Sequence, residues 1–186
     1  MRKLLTWMGI AIASPILGLG LYLAFLQVSG NFHEILPGQL YRSAQPTPNE
    51  LANYIQRYGI KTVINLRGPS ERKWYRDEVA TTSKLSVQHV DFQMSATRQL
   101  SAQESENLVA LLKDAPKPVL IHCRAGADRT GLASVIYLQQ VAGVNEETAE
   151  WQLSPLYGHV NLPFLRAYAM DRTWLRLEEV LGIEES

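Results

Sequence analysis

The sequence predicts an α/β fold in which helices flank a central, mostly parallel sheet. Short apolar runs bounded by turn residues alternate with helical patterns along residues 31–186. Two of the helical patterns open with capping boxes, which mark helix starts. A third observation is the fully apolar run at residues 119–121, which leads into a loop and then into another apolar, helix-like run. Strands that alternate with helices are typical of a sheet whose faces are covered by the helices.

The first part of this pattern is residues 32–43, which predict two short strands around the turn at Pro37-Gly38. The stretch Thr47-Pro48-Asn49-Glu50 is a capping box with proline at the first helical position, and we expect Gly59 to end that helix. Residues 61–66, KTVINL, predict a buried strand that ends at a turn.

The second part adds two strands and most of the helices. Ser101-Ala102-Gln103-Glu104 is the second capping box, and Pro116 and Pro118 close off the helix that it opens. We expect strands over residues 87–94 and 119–121. We expect the helices to cover residues 70–85, 101–113, 130–142, 146–153 and 163–181.

Composition limits the function classes. The chain has 186 residues, 18 basic and 18 acidic side chains, and one cysteine. This length suits one domain with an extension, and the balanced charge predicts no nucleic-acid partner. One cysteine can form neither an intrachain disulfide nor a multi-cysteine zinc site, and the histidines lack metal-ligand spacing. We therefore expect no metal and no cofactor.

Residues 1–30 are predicted to form a separate segment, either a membrane anchor or a signal. Arg2-Lys3 precedes an uncharged stretch, residues 4–28, which is long enough to cross about 30 Å of hydrocarbon. Basic residues stay on the cytoplasmic side, so the domain over residues 31–186 is expected outside the cytoplasm, in the periplasm or at the cell exterior. Small residues at 28–30 offer a cleavage site, which would give an exported soluble form.

The segment HCRAGADRTG, residues 122–131, carries the strongest chemical signal. Cys123 follows a buried strand and precedes a helix, the position at which ligands bind in open α/β sheets. The backbone N–H groups of such a loop converge on an anion, and a helix N-terminus favours the thiolate. Gly126 permits a tight bend, and Arg129 offers a planar fork for two oxygens. Together these groups predict a phosphate monoester site.

The pattern His-Cys-x5-Arg-Thr-Gly resembles the phosphate-binding loop of the cysteine-dependent protein tyrosine phosphatase superfamily. The stretches LYRSAQP at 40–46 and TVINLRG at 62–68 are similar to its dual-specificity branch, especially the bacterial exported and the plant or fungal atypical members. The resemblance covers about residues 32–160 and rests mainly on the loop motif, which is highly specific.

The resemblance implies roles for the loop residues. Cys123 would be the nucleophile that forms a phosphocysteine, and Arg129 would bind the phosphate and clamp the transition state. Thr130 would hydrogen-bond the thiolate, and His122 would orient the loop from behind. Arg67 follows a strand at the same edge of the sheet and is a further candidate for substrate binding. The loop residues expected to surround the phosphate are Arg124, Ala125, Gly126 and Ala127.

The motif does not fix the general acid that protonates the leaving oxygen. Members of the superfamily usually supply an aspartate from a loop after the preceding strand, but here that loop, residues 95–99, holds no acid. The candidates are Asp128, directly before Arg129, and Asp91, within the preceding strand. Inositol-lipid phosphatases of the myotubularin and Sac types also carry Asp-Arg-Thr at this point. A water or the substrate itself is the remaining source of the proton.

Three functions are compatible with these residues. The first is a protein tyrosine or dual-specificity phosphatase, acting on phosphotyrosine and extending to phosphoserine or phosphothreonine. The second is a phosphatase of inositol phosphates or phosphoinositides. The third is a phosphate-binding module without turnover, which the missing loop aspartate favours and the intact Cys123 disfavours. The expected partner is a phosphorylated protein or a small phosphorylated molecule, with the membrane contacted through residues 4–28.

Overall fold

The computed structural model describes residues 2–181, except for the side chains of residues 2–13, 16, 180 and 181. Its strands are β1 (His33–Leu36), β2 (Leu40–Ser43), β3 (Thr62–Asn65), β4 (Gln88–Asp91) and β5 (Val119–His122). They form a five-stranded sheet in the order β1-β2-β5-β3-β4. The β1–β2 pair is antiparallel, and the other three pairs are parallel. This mostly parallel sheet confirms the predicted α/β class.

Helices cover both faces of the sheet. The helices are α1 (Arg2–Val28), α2 (Pro48–Tyr58), α3 (Lys73–Lys84), α4 (Ala102–Asp114), α5 (Asp128–Ile136), α6 (Glu146–Glu150) and α7 (Ala169–Leu181). Neighbouring strand residues point to opposite faces, so Val63 and Leu120 pack with α2, whereas Ile64 and Ile121 pack in the larger core with α4, α5 and α7. A π-helical turn, Tyr137–Val141, continues α5. The loop after the central strand β5 therefore lies on a support that is buried on both sides.

Both predicted capping boxes are present. Thr47 Oγ1 accepts a hydrogen bond from the Glu50 N–H, the Glu50 carboxylate accepts one from the Thr47 N–H, and Ser101 opens α4 in the same way. Gly59 ends α2 in the left-handed conformation, with a φ of 63°. The strand predicted over residues 87–94 ends at Asp91, because Asp91 pairs with the last residue of β3. The capping boxes therefore placed the starts of α2 and α4 correctly, whereas the predicted fourth strand was too long.

The last turns of α1 pack against the rest of the domain. Leu26 is only 3% exposed, and the Tyr22 hydroxyl donates to the Leu156 carbonyl oxygen over 2.6 Å. The side chains of Leu23 and Leu26 lie beside Gly158. Some of the apolar surface of α1 is therefore buried against protein.

This packing bears on the predicted membrane anchor. Within the described part of the chain, no helix is long and apolar enough to cross a membrane. On this finding, the predicted membrane-anchored localisation, with the membrane contacted through residues 4–28, is wrong. The described turns of α1 use Leu23 and Leu26 to cover the domain. The orientation inferred from Arg2-Lys3 concerns side chains outside the described residues, and the division of the chain at residue 30 stays a prediction.

Candidate active site

The loop after β5 lies at the carboxyl ends of the parallel strands, as predicted. Cys123 is the first residue after this central strand, and its side chain is 2% exposed. The helix α5 begins at Asp128, so its N-terminus is directed at the loop. The positive end of the helix dipole and the first free N–H groups of the helix therefore meet at the predicted phosphate position.

Four consecutive carbonyl oxygens of the loop, at residues 124–127, are bound from the protein side. The Gln45 N–H donates to the Arg124 carbonyl oxygen over 3.3 Å, and Asn31 Nδ2 donates to the Ala125 carbonyl oxygen over 3.0 Å. Arg42 Nη2 donates to the carbonyl oxygens of Gly126 and Ala127 over 2.7 and 3.3 Å. In a planar trans peptide the C=O and the following N–H point in opposite directions, so the N–H groups of residues 125–128 face away from these donors. The loop thus presents backbone donors on its open side, as an anion site does.

Arg42 is a buried cation behind the loop. It is fully buried and also donates to the main-chain and side-chain oxygens of Gln152 over 2.9 and 2.8 Å. Its guanidinium lies 4.2 Å from the Tyr157 ring centroid. Burial lowers the pKa of Arg42 to about 10, which still leaves it charged at neutral pH. Arg42 therefore fixes the loop and adds positive charge beneath it.

Gly126 is needed for the loop conformation. Its φ is +69°, and a Cβ at this position would lie 2.6 Å from the Ala44 nitrogen and 2.7 Å from the Ser43 carbonyl carbon. Any other residue would meet both left-handed backbone strain and a backbone clash with the chain after β2. The close approach is what brings Arg42 within reach of the loop carbonyls.

Arg129 reaches back across the site from the first turn of α5. Its Nη1 donates to the carbonyl oxygens of Leu66 and Met94 over 3.3 and 3.4 Å, which are long hydrogen bonds. Its Nε is buried without an acceptor among the described residues. The guanidinium is thus held through one amino group, while the edge that carries Nε is available to two oxygens of one anion.

His122 belongs to a buried network behind the loop. His122 Nε2 lies 3.0 Å and His89 Nε2 lies 2.7 Å from the same oxygen of Glu78, and Gln45 Nε2 donates to the other Glu78 oxygen. Burial would raise the pKa of Glu78, but the hydrogen bonds from His122, His89 and Gln45 lower it to about 2. Glu78 is therefore a fixed anion that orients His122.

Thr130 is also buried next to the loop. Its Oγ1 has no hydrogen-bond partner among the described residues, and no hydrogen bond to the Cys123 sulfur is present. Its predicted bond to the thiolate stays a prediction.

Asp91 has both carboxylate oxygens occupied by the framework. Asn65 Nδ2 donates to one oxygen over 2.7 Å, and the Tyr75 hydroxyl donates to the other over 2.5 Å. The hydrogen bond to Asp91 raises the pKa of Tyr75 to about 12. These contacts tie the end of β4 to β3 and α3, which is a supporting role.

Asp128 is held differently, through a single oxygen. Its Oδ1 lies 2.8 Å from His159 Nδ1, and His159 Nε2 lies 2.9 Å from Asp171 Oδ2. The Asp128 side chain keeps 29% exposure, whereas the His159 side chain has none. Burial would lower the pKa of His159, but the two carboxylates outweigh it and raise that pKa to about 9. The structure thus brings Asp128 to the loop with a protonated histidine behind it.

Two further arginines lie near Arg129. Arg67 donates to Gln45 Oε1 over 2.7 Å and stacks 3.6 Å from the Trp74 ring centroid. Burial and the charges of Arg129 and Arg124 lower the pKa of Arg67. The Arg124 side chain is exposed. The charges of Arg129 and Arg124 thus act on Arg67, and an anion bound between these arginines would reduce that repulsion.

The described residues contain one cluster with metal-ligating atoms close together, and it lies away from the loop. Oxygens of Glu146 and Glu150 on α6 and Glu178 on α7 lie within 4.8 Å of one another. The buried position of Glu178 and its two acidic neighbours raise its pKa to about 8. With a pKa near 8, the Glu178 carboxyl stays largely protonated at neutral pH.

Sequence reasoning missed several residues that hold the site. Arg42 had a signal, because it is a charged residue inside a short strand, in the stretch LYRSAQP. No sequence signal pointed to Glu78 or His159. Glu78 lies 44 residues from its partner His122, and His159 lies 31 residues from its partner Asp128. Only the folded chain brings these groups together.

Comparison with known proteins gives matches over most of residues 27–159. A family model described as the tyrosine phosphatase family matches residues 27–159. The dual specificity protein phosphatase TpbA of Pseudomonas aeruginosa is 32% identical over 124 residues, which is 64% of this chain and 51% of TpbA. The chain thus spans about half the length of the curated relatives it matches.

Solved structures share the fold. The crystal structure of P. aeruginosa TpbA has a TM-score of 0.60 and 27% identity, over 80% of this chain and 91% of that one. A TpbA variant in complex with pTyr has a TM-score of 0.59 and 26% identity, with the same coverage of 80% and 91%. The core catalytic domain of the PP-IP phosphatase SIW14 from S. cerevisiae, at 18% identity, has a TM-score of 0.60 over 82% of this chain and 93% of that one. At that identity SIW14 shows a common fold only.

Proposed function

Because the chain belongs to the tyrosine phosphatase family, we propose that it hydrolyses phosphate monoesters through a phosphocysteine formed on Cys123. The observation that carries the proposal is the loop whose carbonyls at residues 124–127 are all bound from behind. The backbone N–H donors on the open side of the loop and the Cys123 thiol form a phosphate-binding site with the nucleophile next to the phosphorus.

The proposed reaction has two steps. The Cys123 thiolate attacks phosphorus, the bond from phosphorus to the ester oxygen breaks, and the leaving oxygen takes a proton from Asp128. Water then attacks the phosphocysteine, the sulfur–phosphorus bond breaks, and the proton of the water returns to Asp128, which leaves the thiolate and inorganic phosphate. Arg129 binds two equatorial oxygens through its fork, and His122 and Thr130 support the loop and the sulfur.

We assign the proton transfer to Asp128 and a supporting role to Asp91. Both oxygens of Asp91 accept hydrogen bonds from Asn65 and Tyr75, whereas Asp128 is partly exposed and held through one oxygen. Asp128 also immediately precedes Arg129, which keeps it within the loop that holds the phosphate. A proton donor has to reach the ester oxygen, and only a carboxyl with a free oxygen can do so.

Phosphotyrosine in proteins is the substrate we propose, with phosphoserine and phosphothreonine as further substrates. The relative TpbA is a dual specificity protein phosphatase, and one of its variants has been solved in complex with pTyr. Arg124 is exposed within the loop, and the partly buried Arg67 follows β3 at the same edge of the sheet, so both suit a negatively charged substrate.

The arginine cluster favours a second candidate, an inositol phosphate or phosphoinositide. The positive charges of Arg129 and Arg124 repel Arg67, and a second phosphate on the substrate would neutralise part of that charge. Asp128 opposes this candidate, because its negative charge repels additional phosphates. The third candidate, a phosphate-binding module without turnover, does not need a cysteine at the base of the loop.

The test is an assay of the full chain against phosphotyrosine, phosphoserine and inositol-polyphosphate substrates. We expect turnover of the phosphotyrosine peptide, with no turnover in Cys123→Ser and retained binding of inorganic phosphate in that variant. Arg129→Lys should lose about 10²–10³ in kcat, because one ammonium cannot replace the bidentate fork. The matched control is Arg98→Lys, an exposed arginine paired with Glu104. Faster turnover of the inositol substrates would favour the second candidate, and phosphate binding without any turnover would favour the third.

A further inference from the structure

His159 joins two carboxylates that lie far apart in the chain. Its Nδ1 is 2.8 Å from Asp128 at the start of α5, and its Nε2 is 2.9 Å from Asp171 on α7. Asp171 accepts as a carboxylate, and Asp128 Oδ1 accepts whether Oδ2 is ionised or carries a proton, so both ring nitrogens donate and the imidazole carries two protons. A buried charged ring of this kind persists only when it is paired, and here both partners are in place.

The two carboxylates differ in their surroundings. Asp171 is 6% exposed, so it balances the imidazolium charge from inside the protein. The Asp128 side chain keeps 29% exposure and belongs to the phosphate-binding loop. Toward Asp128, the His159–Asp171 pair therefore acts mainly as a fixed N–H donor, because the buried carboxylate offsets most of the ring's charge.

We propose that His159 is a positioning residue for Asp128: its Nδ1–H holds Oδ1 and leaves Oδ2 directed at the ester oxygen of the bound phosphate. The inference rests on the proposed function, in which Asp128 donates the proton. In that step the Oδ2–H bond breaks, the ester oxygen gains the proton, and the carboxylate that remains is stabilised by the existing bond from His159. If the Asp128 carboxyl pointed elsewhere, proton transfer to the ester oxygen would slow, while binding of the phosphate by the loop would not change.

A matched pair of substitutions separates positioning from support of the fold. In His159→Asn the side-chain amide nitrogen lies at the place of Nδ1, so the bond to Asp128 can form and the bond to Asp171 is lost. In His159→Gln the amide nitrogen lies at the place of Nε2, so the bond to Asp171 can form and the bond to Asp128 is lost. Each variant therefore keeps one of the two contacts.

The experiment measures kcat and KM of the full chain on two aryl phosphates, one with a high-pKa and one with a low-pKa phenol, together with thermal unfolding. For His159→Gln we expect a loss of about tenfold or more in kcat on the poor leaving group, part of the 10²–10⁴ that general acid catalysis supplies, with KM and the good leaving group little changed. His159→Asn should keep most of its rate on both substrates and unfold at a lower temperature, because it leaves the buried Asp171 unpaired.

Other results would overturn the inference. Equal losses of His159→Gln on both substrates would show that His159 only supports the fold, and so would a larger loss in His159→Asn than in His159→Gln. Unchanged kinetics in both variants would show that Asp128 needs no positioning. The proposed function is judged separately, by turnover of the wild type that disappears in Cys123→Ser. Without that turnover both proposals fail, and with it the comparison of the two His159 variants alone decides the inference.

Discussion

Asp128 and Asp91 are the two acidic residues considered for proton transfer, and they differ in what their oxygens contact. Asp91 accepts hydrogen bonds at both oxygens, from Asn65 and Tyr75, while Asp128 is held at one oxygen by His159. The sequence could name both as candidates because the usual acid loop, residues 95–99, carries no carboxyl group. Its place directly before Arg129 in the loop favoured Asp128, but the side-chain partners that distinguish the two aspartates are distant in the chain and could not be predicted.

We predict that Asp128→Asn lowers kcat more than Asp91→Asn does on phosphotyrosine, a substrate with a poor leaving group. The expected loss in Asp128→Asn is about 10²–10⁴, and much of the rate should return on an aryl phosphate with a low-pKa phenol, which leaves without a proton. Asp91→Asn should instead lower the free energy of unfolding by about 1–3 kcal/mol, because its amide group meets two donors.

Steady-state kinetics on both substrates and chemical denaturation of both variants check this prediction. Equal losses in Asp128→Asn on the two substrates would mean that Asp128 shapes the loop without donating a proton. A selective loss in Asp91→Asn would transfer the acid role to Asp91.

The loop between β5 and α5 is the element that the sequence described best. The sequence predicted a strand over residues 119–121, then a loop, then a helix over residues 130–142, and the structure has β5, a loop and α5 in that order. The pattern does not show which residues stabilise the conformation of the loop. These residues are Asn31, Arg42 and Gln45, which bind the loop carbonyls from other parts of the chain.

Gly126→Ala should damage both the stability and the activity of this element. The added Cβ would lie 2.6 Å from the Ala44 nitrogen, and the residue would keep a φ of +69°. The control is Gly143→Ala, with a φ of +67° and no atom within 4 Å of the new Cβ. Both variants bear the left-handed strain of about 1–2 kcal/mol, but only Gly126→Ala also displaces backbone.

Chemical denaturation and kcat on phosphotyrosine compare the two glycine variants. We expect Gly126→Ala to be the less stable protein and to lose most of its activity, whereas Gly143→Ala keeps normal kinetics. Equal unfolding free energies and equal rates would mean that the approach of the loop to β2 is not needed for the site.

For the molecule as a whole, the order of strands and helices could be predicted because it follows from local patterns. The capping boxes at Thr47 and Ser101 and the turn at Pro37-Gly38 each act over a few residues, and each is present. The N-terminal segment was misjudged, because an uncharged run has the same composition whether it is covered by lipid or by protein. Only the contacts of Leu26 with the domain distinguish the two cases.

These contacts predict that α1 contributes to the stability of the domain. Leu26→Ala should lower the free energy of unfolding by about 2–5 kcal/mol, as expected for a buried leucine. Leu17→Ala on the same helix is the matched control, because Leu17 is 65% exposed while Leu26 is 3% exposed. Chemical denaturation measures both. Equal stabilities of the two variants would show that residues 1–30 form an independent segment, as the sequence predicted.

The contact between α6 and α7 predicts how stability depends on pH. Glu178 lies close to Glu146 and Glu150, and burial together with these neighbours raises the pKa of Glu178 to about 8, from an ordinary value near 4.5. The folded protein therefore binds this proton more tightly than the unfolded chain does. The stabilisation that it brings is complete below about pH 4.5 and is lost as the pH rises to about 8.

Glu178→Gln removes this dependence, because glutamine fills the same space without a charge. We expect the variant and the wild type to unfold at similar temperatures near pH 4.5. The variant should gain an advantage that grows between about pH 4.5 and 8 and then stays constant, since above the folded pKa both states of the wild type are ionised. Glu147→Gln is the control, because Glu147 is exposed on α6, next to Glu146, and lies outside the cluster. Thermal unfolding across this pH range measures all three proteins. An advantage of Glu178→Gln that did not change with pH would mean that Glu178 is already ionised beside its acidic neighbours, whereas an advantage shared by Glu147→Gln would trace the effect to the net charge of α6 and α7.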